Sequence, residues 1–215
     1  MSNPRSFEND PRFGWGFFGH RYQLYRDAEP HEGYHVLRRW GDAVRLGSFV
    51  FTSNVDGAFL KAGFDEERVV ECHGSIHYLQ AFDTRLSGDI WPAAPQLDKL
   101  VVDRASFLAD EATLPYFTGP NSTQALCRPN ILMFGDGSFI SDRTDAQELR
   151  FDRFVKSLPR ESRVVVIEIG AGLAVPSVRH TSESLLALFT NAQLLRINPA
   201  EPQGPVRCIS IGSRR

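Results

Sequence analysis

His73 stands in the run Glu71-Cys72-His73-Gly74-Ser75, and Asn54 and Asp56 stand in Thr52-Ser53-Asn54-Val55-Asp56-Gly57. A histidine titrates near neutrality and so serves as a general base. Asn and Asp side chains orient the polar groups of a substrate by hydrogen bonds. Each run also has a plain reading. A lone histidine at a strand end is commonly a satisfied residue, and Asn-x-Asp-Gly is a common turn. Cys72 beside His73 suggests a thiol–imidazole dyad, but neighbouring residues of a strand point to opposite faces. Cys72 therefore reads as a small buried apolar residue.

Two glycine motifs could receive a phosphate. Gly14-Trp15-Gly16-Phe17-Phe18-Gly19 spells G-x-G-x-x-G. That motif works only between a strand and a helix, where backbone N–H groups meet a pyrophosphate. Here no strand precedes it, and bulky aromatics fill the positions of close approach. The stretch reads as an aromatic packing segment with Trp15, Phe17, Phe18, Tyr22 and Tyr25. Gly170-Ala171-Gly172 is better placed, after an apolar run and before a helix. That geometry lets a ligand approach the backbone at the carboxyl end of a parallel sheet. A tight turn gives the same letters.

The elements that must position these residues read as α/β. Runs rich in β-branched residues predict strands over Phe49–Thr52, Arg68–Cys72, Asn130–Phe134, Arg163–Ile169, Leu194–Ile197 and Val206–Ile211. Their near-continuous apolar character suits parallel strands covered on both faces. Phe151, Phe154, Val155 and Leu158 repeat at helical spacing over residues 144–158. Leu185, Leu188, Phe189 and Ala192 do the same after His180. Tyr34, Leu37 and Trp40 predict a further helix that ends by Gly47. Strands alternating with helices imply βαβ units and an open sheet. The reading is a Rossmann-like parallel sheet. In such a sheet the strand ends at Asn54, Asp56 and His73 converge on one crevice. The stretch from Ser75 to Arg128 breaks the alternation with Pro92, Pro95, Pro115 and Pro120 and one short possible strand at Leu100–Val102. It reads as a small, loop-rich inserted domain.

Composition narrows the class. The 215 residues allow one large domain, or one with a small insertion, and 42% hydrophobic with 23% charged is ordinary for a soluble globular protein. Lys+Arg 24 against Asp+Glu 26 leave a net charge of −2, which argues against a broad nucleic-acid footprint. Three widely spaced cysteines suit a reducing compartment, and the expectation is cytoplasmic. Residues 1–9 carry no apolar signal region, and no apolar run approaches the ~20 residues of a membrane span.

The order of motifs resembles the sirtuin family of NAD-dependent protein deacylases. Thr52-Ser53-Asn54-Val55-Asp56-Gly57 is followed by Ala62-Gly63 and then His73-Gly74-Ser75. Arg128-Pro129-Asn130-Ile131-Leu132-Met133-Phe134-Gly135-Asp136 is similar to the family's R-P-x-V-V-x-F-G-E. Gly170-Ala171-Gly172-Leu173-Ala174-Val175-Pro176 and Ile197-Asn198-Pro199 complete the order. The resemblance covers about residues 15–200 and is weakest in the insertion.

The resemblance implies a chemistry. The acyl oxygen of an acylated protein lysine attacks the NAD ribose, nicotinamide leaves, and a histidine acts as base on the ribose hydroxyls. His73 matches that histidine. Asn54 and Asp56 match residues of the nicotinamide-ribose pocket. Gly170, Ala171 and Gly172 match the loop near the cofactor phosphates and ribose, and Asn198 an asparagine beside the adenosine. Leu132, Phe134 and Gly135 match the segment that pairs with the acyl-lysine peptide as an added strand. Residues 1–74 and 129–215 then correspond to the cofactor-binding domain, and 75–128 to the family's zinc module.

Two departures stand out. The family opens with a strand, a Gly-Ala-Gly-type loop and a Pro-Asp-Phe-Arg-like segment that grip the cofactor. No counterpart appears, and residues 15–40 resemble the family's segment on the far side of that loop. A first βα unit would then be lacking and its neighbouring strands left unpaired. The family's zinc is held by two Cys-x-x-Cys pairs, whereas residues 75–128 offer only Cys127 and His77. Ala81, Thr84, Phe117 and Pro120 lie near where the pairs would fall, so no tetrahedral zinc site is expected. Ser53 stands for the usual Gln, and Asp136 for the usual Glu. The expected function is NAD-dependent protein lysine deacylation, with no nucleic acid and no membrane as partner. The alternatives are a non-catalytic sirtuin remnant or interaction module with weak or no NAD binding, and ADP-ribosyl transfer or NAD hydrolysis in the same pocket.

Overall fold

The computed structural model describes residues 2–119 and 122–212. Pro120, one of the prolines of the insertion, lies outside the described residues. The chain opens with a short helix α1 (Arg5–Asn9) and a long helix α2 (Pro11–Asp27). Asp10 starts α2, its carboxylate accepting from the N–H groups of Arg12 and Phe13, and Pro11 follows with no N–H to satisfy. The glycine-rich aromatic stretch is therefore helix, not loop. Gly16 has a steric reason: a Cβ there would run into the backbone carbonyl oxygen of Phe107. A Cβ on Gly14 would meet the Phe7 ring at 2.8 Å. These glycines let α2 lie close on its neighbours, and the dinucleotide fingerprint is a helix-packing surface.

Helix α3 (Glu32–Ala43) comes next, as its periodicity predicts. After it stand β1 (Val50–Thr52), α4 (Ala58–Lys61) and β2 (Val69–Glu71). β1 and β2 run parallel, with Val50 opposite Val69 and Thr52 opposite Glu71.

The insertion is more ordered than a loop-rich reading suggests. It contains β3 (Gly74–Ala81), β4 (Ile90–Pro92), α5 (Ala94–Leu97), β5 (Tyr116–Thr118) and β6 (Gln124–Ile131). The strands form one antiparallel sheet in the order β4-β3-β6-β5. Two strand expectations are corrected here. Residues 130–134 do not form a parallel core strand: β6 ends at Ile131 and pairs antiparallel with β3. Leu100–Val102 gives only an isolated bridge, Val102 to Ala109. The signal was hidden because β3 and β6 bury Ser75, Gln80, Arg128 and Asn130, polar residues with partners inside the fold. Around this sheet lies a first core: Ile76, Leu79, Leu97, Leu100, Cys127 and Ile131 pack with Phe7, Trp15, Phe18 and Tyr22 of α1 and α2. The Trp15 indole N–H donates to the Cys127 carbonyl at 2.9 Å, so the largest ring is both buried and satisfied.

The last third returns to the parallel pattern with α6 (Asp142–Ser157), β7 (Val165–Ile169), α7 (Ser177–Leu188), β8 (Gln193–Ile197) and β9 (Cys208–Ile211). β7, β8 and β9 form a parallel sheet over a second core of Leu186, Phe189, Ala192 and Leu194. Helix α6 links the two parallel pieces. Its Phe151 and Phe154 rings meet Phe49 and Phe51, and its Val155 packs on the second core. The open sheet is thus divided: among the described residues β1 pairs only with β2, and β7 only with β8. Apolar side chains remain in solvent beside these edges, with Val165 67% and Ile169 56% exposed on β7. No described helix is long and apolar enough to cross a membrane.

Candidate active site

Three segments meet at His73. The first is the turn after β1. The Cys72 N–H donates to the Thr52 carbonyl at 2.9 Å, and the Ile76 N–H to the Val55 carbonyl at 2.9 Å. These bonds hold residues 52–56 alongside residues 72–76. The second is the segment after β6, where the Leu132 N–H donates to the His73 carbonyl at 3.0 Å. The third is the start of α7, where the Ser177 hydroxyl lies 3.4 Å from His73 Nε2.

Gly74 makes this junction possible. It has φ of 78°, and a Cβ there would collide with the backbone carbonyl oxygen of Asn130. Only glycine lets the chain turn out of β2, carry His73 and pair at once with Ile131 of β6.

The electrostatics suit a base. Burial pushes the His73 imidazole below its ordinary value of 6.5, partly opposed by a hydrogen bond to the backbone of Ser53. Burial thus favours the neutral ring. The Cys72 thiol is pushed up to about 12, first by burial and then by the Glu148 charge. A thiol so far from ionising is no nucleophile, which removes the Cys72–His73 dyad. Cys72 itself is only partly buried.

The other candidates divide into open and committed groups. The Asn54 side chain is exposed, and its backbone N–H bonds to the Thr52 hydroxyl at 3.1 Å. Asp56 starts α4 through its Oδ1, which accepts from the Ala58 N–H at 2.9 Å, and its carbonyl meets His77 Nε2 at 2.9 Å. Gly170 has φ of 71° with open space where a Cβ would stand, and its N–H donates to the Ile197 carbonyl at the end of β8. The Ala171 carbonyl accepts from both Arg179 Nε (3.0 Å) and Asn198 Nδ2 (2.9 Å). Asn198 Oδ1 accepts from the Ala200 and Glu201 N–H groups. The amide of Asn198 is thus spent inside the protein. Glu201 Oε2 accepts from the Leu173 N–H at 2.8 Å, on the same loop. Leu132 and Phe134 project into solvent, 41% and 70% exposed, and Gly135 has φ of 68°. His73, Asn54, Asp56 and the 132–135 segment share one neighbourhood. The Gly170–Gly172 loop reaches it through α7, and Asn198 lies behind that loop.

Sequence reasoning missed Ser177, Arg128, Asp136, Arg179 and Glu201. Arg128 and Asp136 lay within the quoted motif, but their mutual burial as an ion pair had no local signal.

The residues around His73 fit the nicotinamide–ribose end of a dinucleotide: a neutral base, an exposed amide and an open glycine loop. The Cys127 thiol sits in the first core, where burial pushes it up to about 12, and the His77 ring is turned to Asp56. Among the described residues no group of three or more His, Cys, Asp or Glu side chains converges.

A model of the Sir2 family matches residues 1–175. An NAD-dependent protein deacylase of Deinococcus radiodurans is 31% identical over 182 residues, covering 83% of this chain and 65% of the relative. An NAD-dependent protein deacylase of Aquifex aeolicus is 23% identical over 203 residues, covering 94% and 70%. A probable bifunctional ADP-ribose hydrolase/ADP-ribosyltransferase of Fusarium oxysporum f. sp. cubense is 25% identical over 177 residues, 80% of this chain and 29% of the relative.

Proposed function

Because this chain belongs to the Sir2 family, we propose that it is an NAD-dependent protein lysine deacylase, moving the acyl group of an acylated protein lysine to ADP-ribose with release of nicotinamide. The chain spans 65% of the Deinococcus relative, so that protein's activity is carried over as a proposal. One observation carries the reading. A half-buried imidazole, its pKa pushed down by burial, sits where the turn after β1, the segment after β6 and the start of α7 meet.

NAD, when bound, supplies the ribose carbon that the acyl oxygen attacks and the nicotinamide that leaves. The protein's own groups do the rest. His73 holds an unprotonated nitrogen to take a proton from a ribose hydroxyl. Asn54 offers an exposed amide on the neighbouring turn. Leu132, Phe134 and Gly135 offer backbone and apolar side chains to an extended acyl-lysine peptide. A cytoplasmic location belongs to the same reading, and the three free thiols suit it.

The test is nicotinamide release. Wild-type protein with NAD and an acetyl-lysine peptide should release it, and His73→Ala should not. Folded wild-type protein without peptide-dependent turnover defeats the reading. ADP-ribose formed with no peptide points instead to hydrolysis or transfer.

One observation favours a second reading, a non-catalytic module with weak NAD binding. The Asn198 amide and the Leu173 N–H are both already satisfied internally. Calorimetry separates the two: NAD binding at micromolar affinity or tighter removes this alternative.

A further inference from the structure

The segment after β6 is exposed at its tips yet anchored at its base by buried polar groups. Both Arg128 and Asp136 side chains are fully buried and form an ion pair. Arg128 Nη1 also donates to Asp136 Oδ1 at 2.9 Å, and its Nη2 to the Ile131 carbonyl at 2.7 Å. Asp136 in turn accepts from the Met133 N–H at 3.3 Å and the Ser138 N–H at 3.0 Å. Burial alone would raise the Asp136 carboxyl. The hydrogen bonds and charge of Arg128 outweigh it and hold the group below the usual carboxylate range.

The far end of the loop is fixed as well. Gln80 donates to the Ser138 carbonyl at 2.7 Å and accepts from the Ile140 N–H at 3.1 Å. Asn130 donates to the Ile140 carbonyl at 2.8 Å. Between these anchors the backbone N–H of Phe134 points outward, where it already donates to a main-chain carbonyl, that of Ser2, at 3.1 Å. The N–H thus bonds a backbone carbonyl in extended-strand fashion, and a docking peptide would take the place of the Ser2 carbonyl.

We propose that Arg128 and Asp136 are positioning residues for substrate: a buried clasp that sets residues 132–135 in the conformation an extended peptide docks on. The proposal rests on the deacylase reading for the identity of that peptide. A loop closed by a charged pair keeps its docking edge in one register, whereas a neutral pair would let the edge sample others. The clasp touches no reacting atom, so its loss falls on peptide affinity and not on the chemical step.

The experiment uses the full chain with Asp136→Asn, which keeps size and removes charge, and Asp136→Glu, which keeps charge. In steady state with an acetyl-lysine peptide, Asp136→Asn should raise the peptide KM about tenfold or more, the scale of a lost hydrogen bond to a charged group. The kcat and the KM for NAD should stay near wild type, and Asp136→Glu should recover most of the loss. Amide hydrogen exchange without any ligand should speed up at Leu132–Phe134 in Asp136→Asn. An unchanged peptide KM, or unchanged exchange, overturns the clasp. So does a uniform fall of kcat and both KM-linked rates together with the melting temperature, which marks a merely structural pair. If wild type shows no turnover, the deacylase reading falls by itself. The clasp is then decided by anisotropy of a fluorescein-labelled acetyl-lysine peptide. Binding by wild type and loss in Asp136→Asn supports it, and equal binding or none overturns it.

Discussion

Gly16→Ala sets two effects of opposite sign against each other. Alanine in place of a helix-interior glycine gains about 1 kcal/mol from propensity alone. At Gly16 the new Cβ would occupy the space of the Phe107 carbonyl oxygen, which is backbone and cannot rotate away. Relief requires α2 or the turn at residues 103–109 to move. That turn is tied to α2 by the Ala109 N–H on the Arg12 carbonyl (2.9 Å) and Arg12 Nε on the Ala109 carbonyl (3.0 Å). Losing both bonds costs about 2 kcal/mol, and overpacking adds about 1–3. The cost exceeds the gain, for a net loss of about 2–4 kcal/mol. Urea unfolding followed by tryptophan fluorescence, to which Trp15, fully buried one residue away, contributes, reads the effect. A midpoint that stays or rises refutes the steric argument. A normal midpoint with lost NAD binding would restore the dinucleotide reading of Gly14, Gly16 and Gly19.

Two further outcomes are expected. Gly74→Ala must place alanine at a positive φ and against the Asn130 carbonyl. It should lose about 2 kcal/mol or more of stability and, by displacing His73, most nicotinamide release, and an active, normally stable variant would contradict the assigned junction. The pH dependence comes from His73, whose pKa in the fold is depressed below 6.5. Its neutral form contributes stability that is full above that value and is lost as pH falls through the folded pKa. The acid limb of kcat/KM should therefore lie below pH 6.5, and an inflection above it would contradict the burial of the ring.

The sequence was most legible where apolar residues run together along a strand, even where, as at Val165 and Ile169 of β7, they end exposed. β1, β2, β7 and β9 fall inside the expected strand runs, β8 starts one residue early at Gln193, and α6 keeps to its Phe151-Phe154-Val155-Leu158 stripe. Legibility failed for α2, because Gly14, Gly16 and Gly19 weaken helix propensity and only contact with Phe7, Leu100 and Phe107 restores it. It failed again for β3 and β6, whose buried side chains include Gln80, Arg128 and Asn130. Period-two alternation reports apolar against polar, and a core face that satisfies its own hydrogen bonds erases that contrast. At the proposed site, the motifs place His73, Asn54 and Asp56 on neighbouring strand ends, and backbone bonds hold those two segments side by side. The commitment of Asn198 to Ala171 and of Glu201 to Leu173 depends on a long-range loop contact, which no local pattern carries.

The divided parallel sheet bears on how the molecule comes apart. Among the described residues no ladder of backbone bonds joins β1–β2 to β7–β8–β9, and the cores on the two sides share no buried residue. Among the contacts that couple them are those of α6 and of His73 with Ser177. Such a molecule should melt as two cooperative units, not one, with the C-terminal unit holding its own protected amides through the internal bonds of Arg196, Glu168 and Glu183. The proposed active site lies on the seam between the units. Local opening along that seam would inactivate the protein well before either half unfolds.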